Sequence, residues 1–344
     1  MAYATINKPS DHFNTVLYTG NGSTQSITGV GFQPDWTWIK ERSSTSGHEV
    51  YDSTRGATKL LSPNATDVEG TNASALTSFD SDGFSVGSGG AVNENSQTYV
   101  GWNWLANGGT TSSNTDGDVT STVQVNSTAG FSITTYTGNS SSPLAVGHGL
   151  GVAPQVVLAK HRNVSTHWRM WHQGLSGAGY YVILDLTNAQ ANGEPIFSGL
   201  PTSTTVGFLS DFTNTSHDVV FYSFAEIKGY SKFGSYTGNG STDGPFVYTG
   251  FRPAFVITRG YSAVSNWVMF DNTRNTFNDG DTKLVYANSN IAESGFATTA
   301  IDLTSNGFKL RETNYSNISG VNYIYMAFAE NPLVGTNGIP ATAR

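Results

Sequence analysis

The chain has 344 residues, of which 17 are Lys or Arg and 25 are Asp or Glu, and its formal net charge is −8. Its 39 glycines and 12 % aromatic residues are typical of strands and tight turns, and they disfavour a helical bundle or a doubly wound enzyme. No cluster of Lys or Arg offers a surface for nucleic acid, and no apolar stretch approaches the roughly 18 residues of a membrane-inserted helix. The absence of cysteine excludes disulfides and thiolate metal sites.

One sequence unit occurs three times along the chain. Each copy opens with Tyr-Thr-Gly-Asn, which begins at Tyr18, Tyr136 and Tyr236. An apolar run then follows a proline, at Pro34, Pro154 and Pro253, and an aromatic strand closes each copy, at Trp104, Phe224 and Phe328. The landmarks keep the same order and nearly the same spacing, which is the signature of an internal repeat.

Within each copy the apolar residues alternate with a period of two, which predicts strands with one buried face. Trp36 and Trp38 share one parity, as do Trp102 and Trp104, so all four are predicted to pack in a core. Asn-Gly and Asp-Gly pairs between the runs favour tight hairpins. The fold class predicted is therefore all-β, with three tandem antiparallel β-sandwiches of the jelly-roll type.

The repeats also define the predicted domain organisation. An N-terminal arm (1–12) precedes the first sandwich (13–106), and a flexible polar linker (107–118) leads to the second sandwich (119–228). The third sandwich (229–332) follows, and a C-terminal tail (333–344) ends the chain.

Charged residues occur at the same positions of the repeats, on the strand face that is predicted to point toward the core. A basic residue follows the apolar pair in every copy, at Lys40, Lys160 and Arg259. An acid ends the next strand in two copies, at Asp52 and Asp271, and His172 replaces it in the second copy. Since inward charges near strand ends usually find partners, we predict structural ion pairs of Lys40 with Asp52 and of Arg259 with Asp271. A polar floor that binds sugar hydroxyls is the alternative.

Aromatic rings on outward parity or in turns are the candidates for sugar contact, because a ring face matches the apolar face of a pyranose. Four tyrosines meet this condition: Tyr99, Tyr261, Tyr315 and Tyr323. An ordinary half-exposed strand tyrosine is the alternative for each of them.

No motif indicates catalysis or a metal. Five of the seven histidines lie in the second copy, but their spacing matches no ligand motif: His148, His161, His167, His172 and His217. A nucleophile elbow, a phosphate-binding glycine loop and a metalloprotease helix are all absent from the sequence. We therefore expect a protein that is not an enzyme and that has no cofactor and no metal site. Paired carboxylates of a polysaccharide depolymerase remain the alternative, because their separation depends on the fold.

Several long strings resemble a known module. They are Phe13–Gly22, Gly29–Asp35, Ala145–Pro154, Gly229–Asn239 and Tyr325–Pro332. Together they resemble a bacteriophage module of unknown function that recurs in tandem in virion structural proteins of cyanobacterial and marine phages. The resemblance implies lectin-like sandwiches and a place in the phage particle, in a family without established catalytic residues.

The expected function follows from this resemblance and from the uncharged surface. We expect a virion structural protein on the particle surface, of tail-fibre or spike type, that touches host-surface carbohydrate. Its expected partners are other virion proteins and further copies of itself, with a trimer as one assembly. A capsid-decorating protein is the alternative placement, and Ser, Thr and Asn side chains offer many hydrogen-bonding groups in either case.

Overall fold

The computed structural model describes residues 4–275, 281–295 and 300–334, and it confirms the all-β prediction. All pairs of named strands are antiparallel, as expected for strands joined by short turns. Helical structure in the described ranges is confined to the single turn α1, Gly90–Asn93, and to 3-10 turns at Pro9–Asp11 and Ser210–Thr213. None of these is long and apolar enough to cross a bilayer.

The first repeat forms a large and a small sheet. Its strands are β1 Phe13–Thr19, β2 Gln25–Thr28, β3 Trp36–Glu41, β4 His48–Asp52, β5 Lys59–Leu60, β6 Gly70–Thr71, β7 Leu76–Asp80, β8 Gly83–Val86 and β9 Thr98–Trp104. The large sheet has the order β1-β9-β3-β4 and the small sheet the order β2-β8-β7, while β5 pairs with β6. Buried residues such as Ile39 and Phe84 join the two sheets in a core of their own.

The second repeat has the same plan. Its strands are β10 Ser112–Asn114, β11 Ser121–Asn126, β12 Phe131–Thr137, β13 Leu144–Gly147, β14 Val156–His161, β15 Arg169–His172, β16 Val182–Ile183, β17 Thr205–Phe208 and β18 Asp218–Phe224. The large sheet has the order β10-β11-β12-β18-β14-β15-β16, and β13 pairs with β17 in the small sheet. Phe208 and Phe221 belong to the core between them.

The third repeat completes the series. Its strands are β19 Ser231–Thr237, β20 Phe246–Tyr248, β21 Phe251–Gly260, β22 Trp267–Asp271, β23 Lys283–Tyr286, β24 Ser294–Gly295, β25 Ile301–Thr304, β26 Gly307–Leu310 and β27 Asn322–Pro332. The large sheet has the order β19-β27-β21-β22-β23-β24 and the small sheet the order β20-β26-β25. Val256 and Phe308 lie in the core between these sheets.

The inner faces of the three large sheets meet in a single core, which we call the shared core. Its members include Phe13, Trp36, Trp38, Trp102 and Trp104 of the first repeat, Phe131, Trp168, Tyr222 and Phe224 of the second, and Phe233, Phe255, Trp267, Met326 and Phe328 of the third. Every pair of repeats is in contact there. Ring centroids lie 4.7 Å apart for Trp36 and Tyr222, 5.3 Å for Phe13 and Phe328, and 5.9 Å for Phe224 and Phe328.

The burial predicted for Trp36, Trp38, Trp102 and Trp104 is confirmed, since each is at most 4 % exposed. Their surroundings differ from the prediction. These side chains face the other two repeats. The core between the two sheets of the first repeat is built from residues on the opposite face of the same strands. Each large sheet is therefore buried on both faces.

The segment predicted as a flexible linker is held in place. The backbone N–H groups of Gly108 and Gly109 donate to the carboxylate of Asp35 at 2.8 and 2.6 Å, and Ser112–Asn114 forms strand β10. Of the predicted C-terminal tail, Leu333 and Val334 belong to the described residues, and the remainder lies outside them, as do residues 1–3 of the predicted arm.

Candidate functional site

The predicted ion pairs are wrong in their partners. In the first repeat, Asp52 lies opposite Trp36, four residues along the strand from Lys40. Four residues of a strand span about 13 Å, so the two charges lie at opposite ends of the hairpin. The same register separates Arg259 from Asp271. Parity correctly indicated the inward side for all four residues, but antiparallel pairing keeps the predicted partners apart.

Asp52 instead forms a buried cluster with two other groups. Its carboxylate accepts hydrogen bonds from Arg55 Nε at 2.5 Å and from the backbone N–H of Arg55 at 2.8 Å. The hydroxyl of Tyr222, in the second repeat, donates to the same carboxylate at 2.7 Å. Burial opposes the charge of Arg55, but the adjacent Asp52 carboxylate raises its pKa above the usual value. The acid therefore links the first repeat to the second.

The residues at the equivalent positions of the other two repeats also contact a neighbouring repeat. Asp271 pairs with Arg274 at 2.6 Å and accepts a hydrogen bond from Trp102 Nε1, in the first repeat, at 3.0 Å. His172 of the second repeat lies 3.1 Å from the carbonyl oxygen of Tyr325 in the third. The three positions thus connect the repeats in cyclic order around the shared core.

The repeated basic residues connect the repeats in the opposite cyclic direction, at the other end of the hairpins. Each donates to a carbonyl oxygen in the neighbouring repeat: Lys40 to Asn290 at 3.4 Å, Lys160 to Thr66 at 3.2 Å, and Arg259 to Asn188. Burial lowers the pKa of Lys40 and of Lys160 to about 8. These residues therefore hold the repeats together, and no carboxylate group neutralises them through a direct salt bridge among the residues described.

We expect Lys40 and Lys160 to raise stability with increasing pH between about pH 8 and pH 9, below the range in which tyrosines of the unfolded chain lose their protons. Their pKa is about 8 in the folded chain, against 10.5 for an ordinary lysine. In this interval the unfolded chain binds more protons, so raising the pH favours the folded state, by up to about 1.4 kcal/mol per pH unit for each lysine. Urea unfolding at several pH values measures this slope.

The matched variants identify the groups responsible for the pH dependence. Lys40→Met with Lys160→Met is expected to flatten the rise, since methionine keeps much of the side-chain volume without the titrating ammonium. Lys8→Met is the control, because that side chain is 71 % exposed. An unchanged slope in the double variant would contradict the assignment.

Each pair of repeats meets at a junction, and arginine–glutamate pairs strengthen two of these three junctions. Arg42 binds Glu293 through two hydrogen bonds of 2.9 and 2.8 Å, and Arg162 binds Glu69 through two of 2.8 and 3.0 Å. Such fork-like pairs combine charge with fixed geometry. At the third junction, the carbonyl oxygen of Tyr261 accepts a hydrogen bond from Gln190 N at 2.8 Å. Tyr261, a predicted sugar contact, is thus a partly buried junction residue that packs against the shared core.

Tyr99 and Tyr323 are not at the surface, contrary to the prediction. Both are 0 % exposed, because the outward face of each large sheet is covered by the small sheet of the same repeat. Tyr99 stacks on Tyr18 with a centroid distance of 5.0 Å, and its hydroxyl donates to the carbonyl of Gly90. Tyr315 is the candidate that remains exposed, at 38 %.

The histidines of the second repeat do not converge on one site, although the rings of His161 and His217 lie 4.9 Å apart. His167 pairs with Asp185 at 2.5 Å, His161 lies 2.9 Å from the hydroxyl of Thr166, and His172 serves the junction described above. Within residues 4–275, 281–295 and 300–334, no three His, Asp or Glu side chains are grouped as a metal site would require.

A surface cleft of about 390 Å³ lies between the segment that joins the second and third repeats and the edge of the third small sheet. The lining residues that carry polar or aromatic chemistry are Glu226, Lys228, Ser231, Lys232, Tyr248 and Thr249. This volume falls in the range of small-ligand sites. It is the candidate binding site of the described structure.

A half-exposed ion pair and an aromatic ring give the cleft its chemistry. Glu226 pairs with Lys232 at 2.8 Å, and the other oxygen of Glu226 is oriented by the backbone N–H of Phe233 at 2.9 Å. The ring of Tyr248 is 58 % exposed. None of these residues is among the tyrosines or charges that the sequence pattern indicated. The parity of Tyr248 relative to the buried Val247 is the signal that could have found it.

These features define an all-β protein made of three repeats around one core, with a mixed aromatic and charged cleft on the third. The chain belongs to the family described as a domain of unknown function, DUF7483, whose model matches residues 8–332. No curated protein matches the chain significantly.

Proposed function

We propose that the chain is a non-enzymatic structural protein of a bacteriophage particle, exposed on its surface as a tail-fibre or spike-type component that contacts host glycans. The observation that carries this proposal is the shared core, which makes one body of three repeats. Packing of this kind gives stability without disulfides, which suits a protein that works outside a cell. The resemblance of its long sequence strings to a phage module supports the particle as its place.

Each repeat is, in this proposal, an antiparallel β-sandwich with a jelly-roll-like plan. The support comes from the buried clusters between a large and a small sheet, in which Phe84, Phe208 and Phe308 hold equivalent places. The outer faces of the small sheets are then the surfaces offered to partners. Their Ser, Thr and Asn side chains supply hydrogen-bonding groups without a strong field.

Self-association belongs to the proposal as well, and it must use surfaces outside the shared core. One chain already buries the inner faces of three large sheets against one another. A trimer of chains would therefore join through small-sheet faces or repeat edges. Light scattering of the purified chain measures this directly, and a monomer at all concentrations would contradict self-association.

The test of the virion role is the position of the chain in purified particles. Mass spectrometry should detect it in particles of the phage that encodes it, and antibody labelling in the electron microscope should place it at the tail. A few copies per particle are expected for a tail protein, whereas hundreds of copies would indicate capsid decoration. Absence of the chain from purified particles would overturn the proposal.

A further inference from the structure

The small sheet of the third repeat differs from the other two on its outward face. The strand registers are equivalent, because Ile27, Leu144 and Val247 lie opposite Phe84, Phe208 and Phe308. Residues on either side of that buried position point outward. They are Ser26 and Thr28 in the first repeat, Pro143 and Ala145 in the second, and Phe246 and Tyr248 in the third. Two outward aromatic rings therefore distinguish the third repeat.

Both rings are displayed to solvent. Phe246 is 47 % exposed and Tyr248 is 58 % exposed, and their strand is the edge strand of its sheet. Gly307 lies opposite Tyr248, and a Cβ atom on Gly307 would lie 2.1 Å from the carbonyl oxygen of Val247, a close approach that Gly83 of the first repeat also makes to Ile27. This glycine is therefore required by the strand pairing of the small sheet and not by the aromatic rings. Adjacent exposed rings are a feature of interaction sites.

Tyr248 joins this surface to the cleft, where polar groups stand beside its ring. The side chain of Lys232 is 41 % exposed, and its ammonium group makes one hydrogen bond, to Glu226. An ammonium group has three donors, so Lys232 can serve further acceptors. The hydroxyl of Tyr248 makes no hydrogen bond within the described part of the chain. The cleft therefore offers a ring face, free donors and a carboxylate within one small volume.

We infer that this cleft and the adjoining rings bind a pyranose-containing glycan. Tyr248 provides the face against which the apolar side of a sugar ring stacks, and Phe246 extends that face along the strand. Lys232 and Glu226 provide a donor and an acceptor for neighbouring hydroxyls. Lys228 adds a second cation to the lining, so the ring faces, and not a balance of charges, define the ligand class as pyranose-containing. The inference rests on the glycan contact that forms part of the proposed function, and it names the site and the ligand class.

The test is a pair of substitutions to residues that the first repeat already has at the equivalent positions. Phe246→Ser with Tyr248→Thr places the residues of the first repeat at the equivalent positions of the third. Binding of neutral and acidic oligosaccharides from bacterial surface polysaccharides is measured on an array and then by calorimetry with the full chain. We expect the wild-type chain to bind pyranose-containing glycans on the array and the double variant to bind them at least tenfold more weakly.

Two further variants locate the site. Lys232→Met should weaken the same binding, while Tyr315→Ser, at an exposed tyrosine outside the cleft, should leave it unchanged. Circular dichroism and the melting temperature show that each variant is folded. If the double variant does not fold, Lys232→Met and Tyr248→Thr alone decide the question.

The outcomes separate this inference from the proposed function. Equal glycan binding by the wild type and the folded double variant overturns the site while leaving glycan contact intact. No glycan binding by the wild type overturns both the inference and the glycan contact, but not the place in the particle. Loss of binding to another virion protein, with no glycan bound, would identify the rings as a protein-docking surface and likewise overturn the inference.

Discussion

Replacing Trp36 with alanine is expected to lower the free energy of unfolding by about 3–5 kcal/mol, and to do so for all three repeats at once. Trp36 belongs to the first repeat, but its ring lies 4.7 Å from that of Tyr222 and 5.9 Å from that of Phe224, both in the second. The shared core also includes Phe255 and Phe328 of the third repeat. A cavity at Trp36 therefore removes contacts on which every repeat depends.

Differential scanning calorimetry measures this effect. We expect one unfolding transition for the wild type and one for Trp36→Ala, shifted to lower temperature. Leu17→Ala is the control, since Leu17 is on the same sheet but 39 % exposed, and its expected effect is within about 0.5 kcal/mol. Separate transitions, of which the substitution moves one alone, would mean that the repeats unfold independently.

The strands and their buried sides could be predicted from the sequence, whereas the groups that cover each side could not. The period of two places Trp36 and Lys40 on one face and Tyr99 on the other, and the structure agrees. Parity shows which side chains share one face of a strand, but it carries no information about which neighbouring sheet covers that face. Parity alone therefore assigns the face of Trp36 to the interior of a sandwich and the face of Tyr99 to an exposed surface. A large sheet buried on both sides reverses the second conclusion.

The charge pairings show that parity also does not identify which residues on one face are in contact. Asp52 and Arg55 are three residues apart and pair directly, yet Lys40 shares its parity with Asp52 and was the predicted partner. The backbone turn after β4, in which Arg55 N donates to the Asp52 carboxylate, brings the closer pair together. Such local side-chain bonds to the backbone are characteristic of Asp at the start of a turn. The repeat of Asp and Arg in the third copy was the available signal.

The candidate cleft was beyond sequence reasoning for a topological reason. Its walls come from Glu226–Lys232, from Tyr248–Gly250 and from Leu333 with Val334, which are distant in sequence. Strand pairing brings them together, because β27 returns beside both β19 and β21. The aromatic pair at Phe246 and Tyr248 could be recognised once the register of Val247 with Phe308 was known.

Replacing Asp52 with alanine is expected to destabilise the chain by about 3–5 kcal/mol, because it leaves the Arg55 guanidinium buried without its main counter-charge. Both side chains are 0 % exposed, and the 3.1 Å contact of Arg55 with Glu69 is the one ion pair described that remains. The substitution also removes the acceptor of the Tyr222 hydroxyl, so it weakens the junction between the first and second repeats. Urea unfolding followed by circular dichroism measures the loss.

The second repeat supplies the control for this prediction, since it carries His172 and Leu175 where the first carries Asp52 and Arg55. Asp52→His combined with Arg55→Leu therefore removes the charge pair as a unit, in a form that one of the repeats already uses. Removing both charges leaves no uncompensated ion, so this double variant should be more stable than Asp52→Ala alone. If instead the double variant is as unstable as the sum of its single changes, the pair acts through packing, and the cost of Asp52→Ala does not come from a stranded charge.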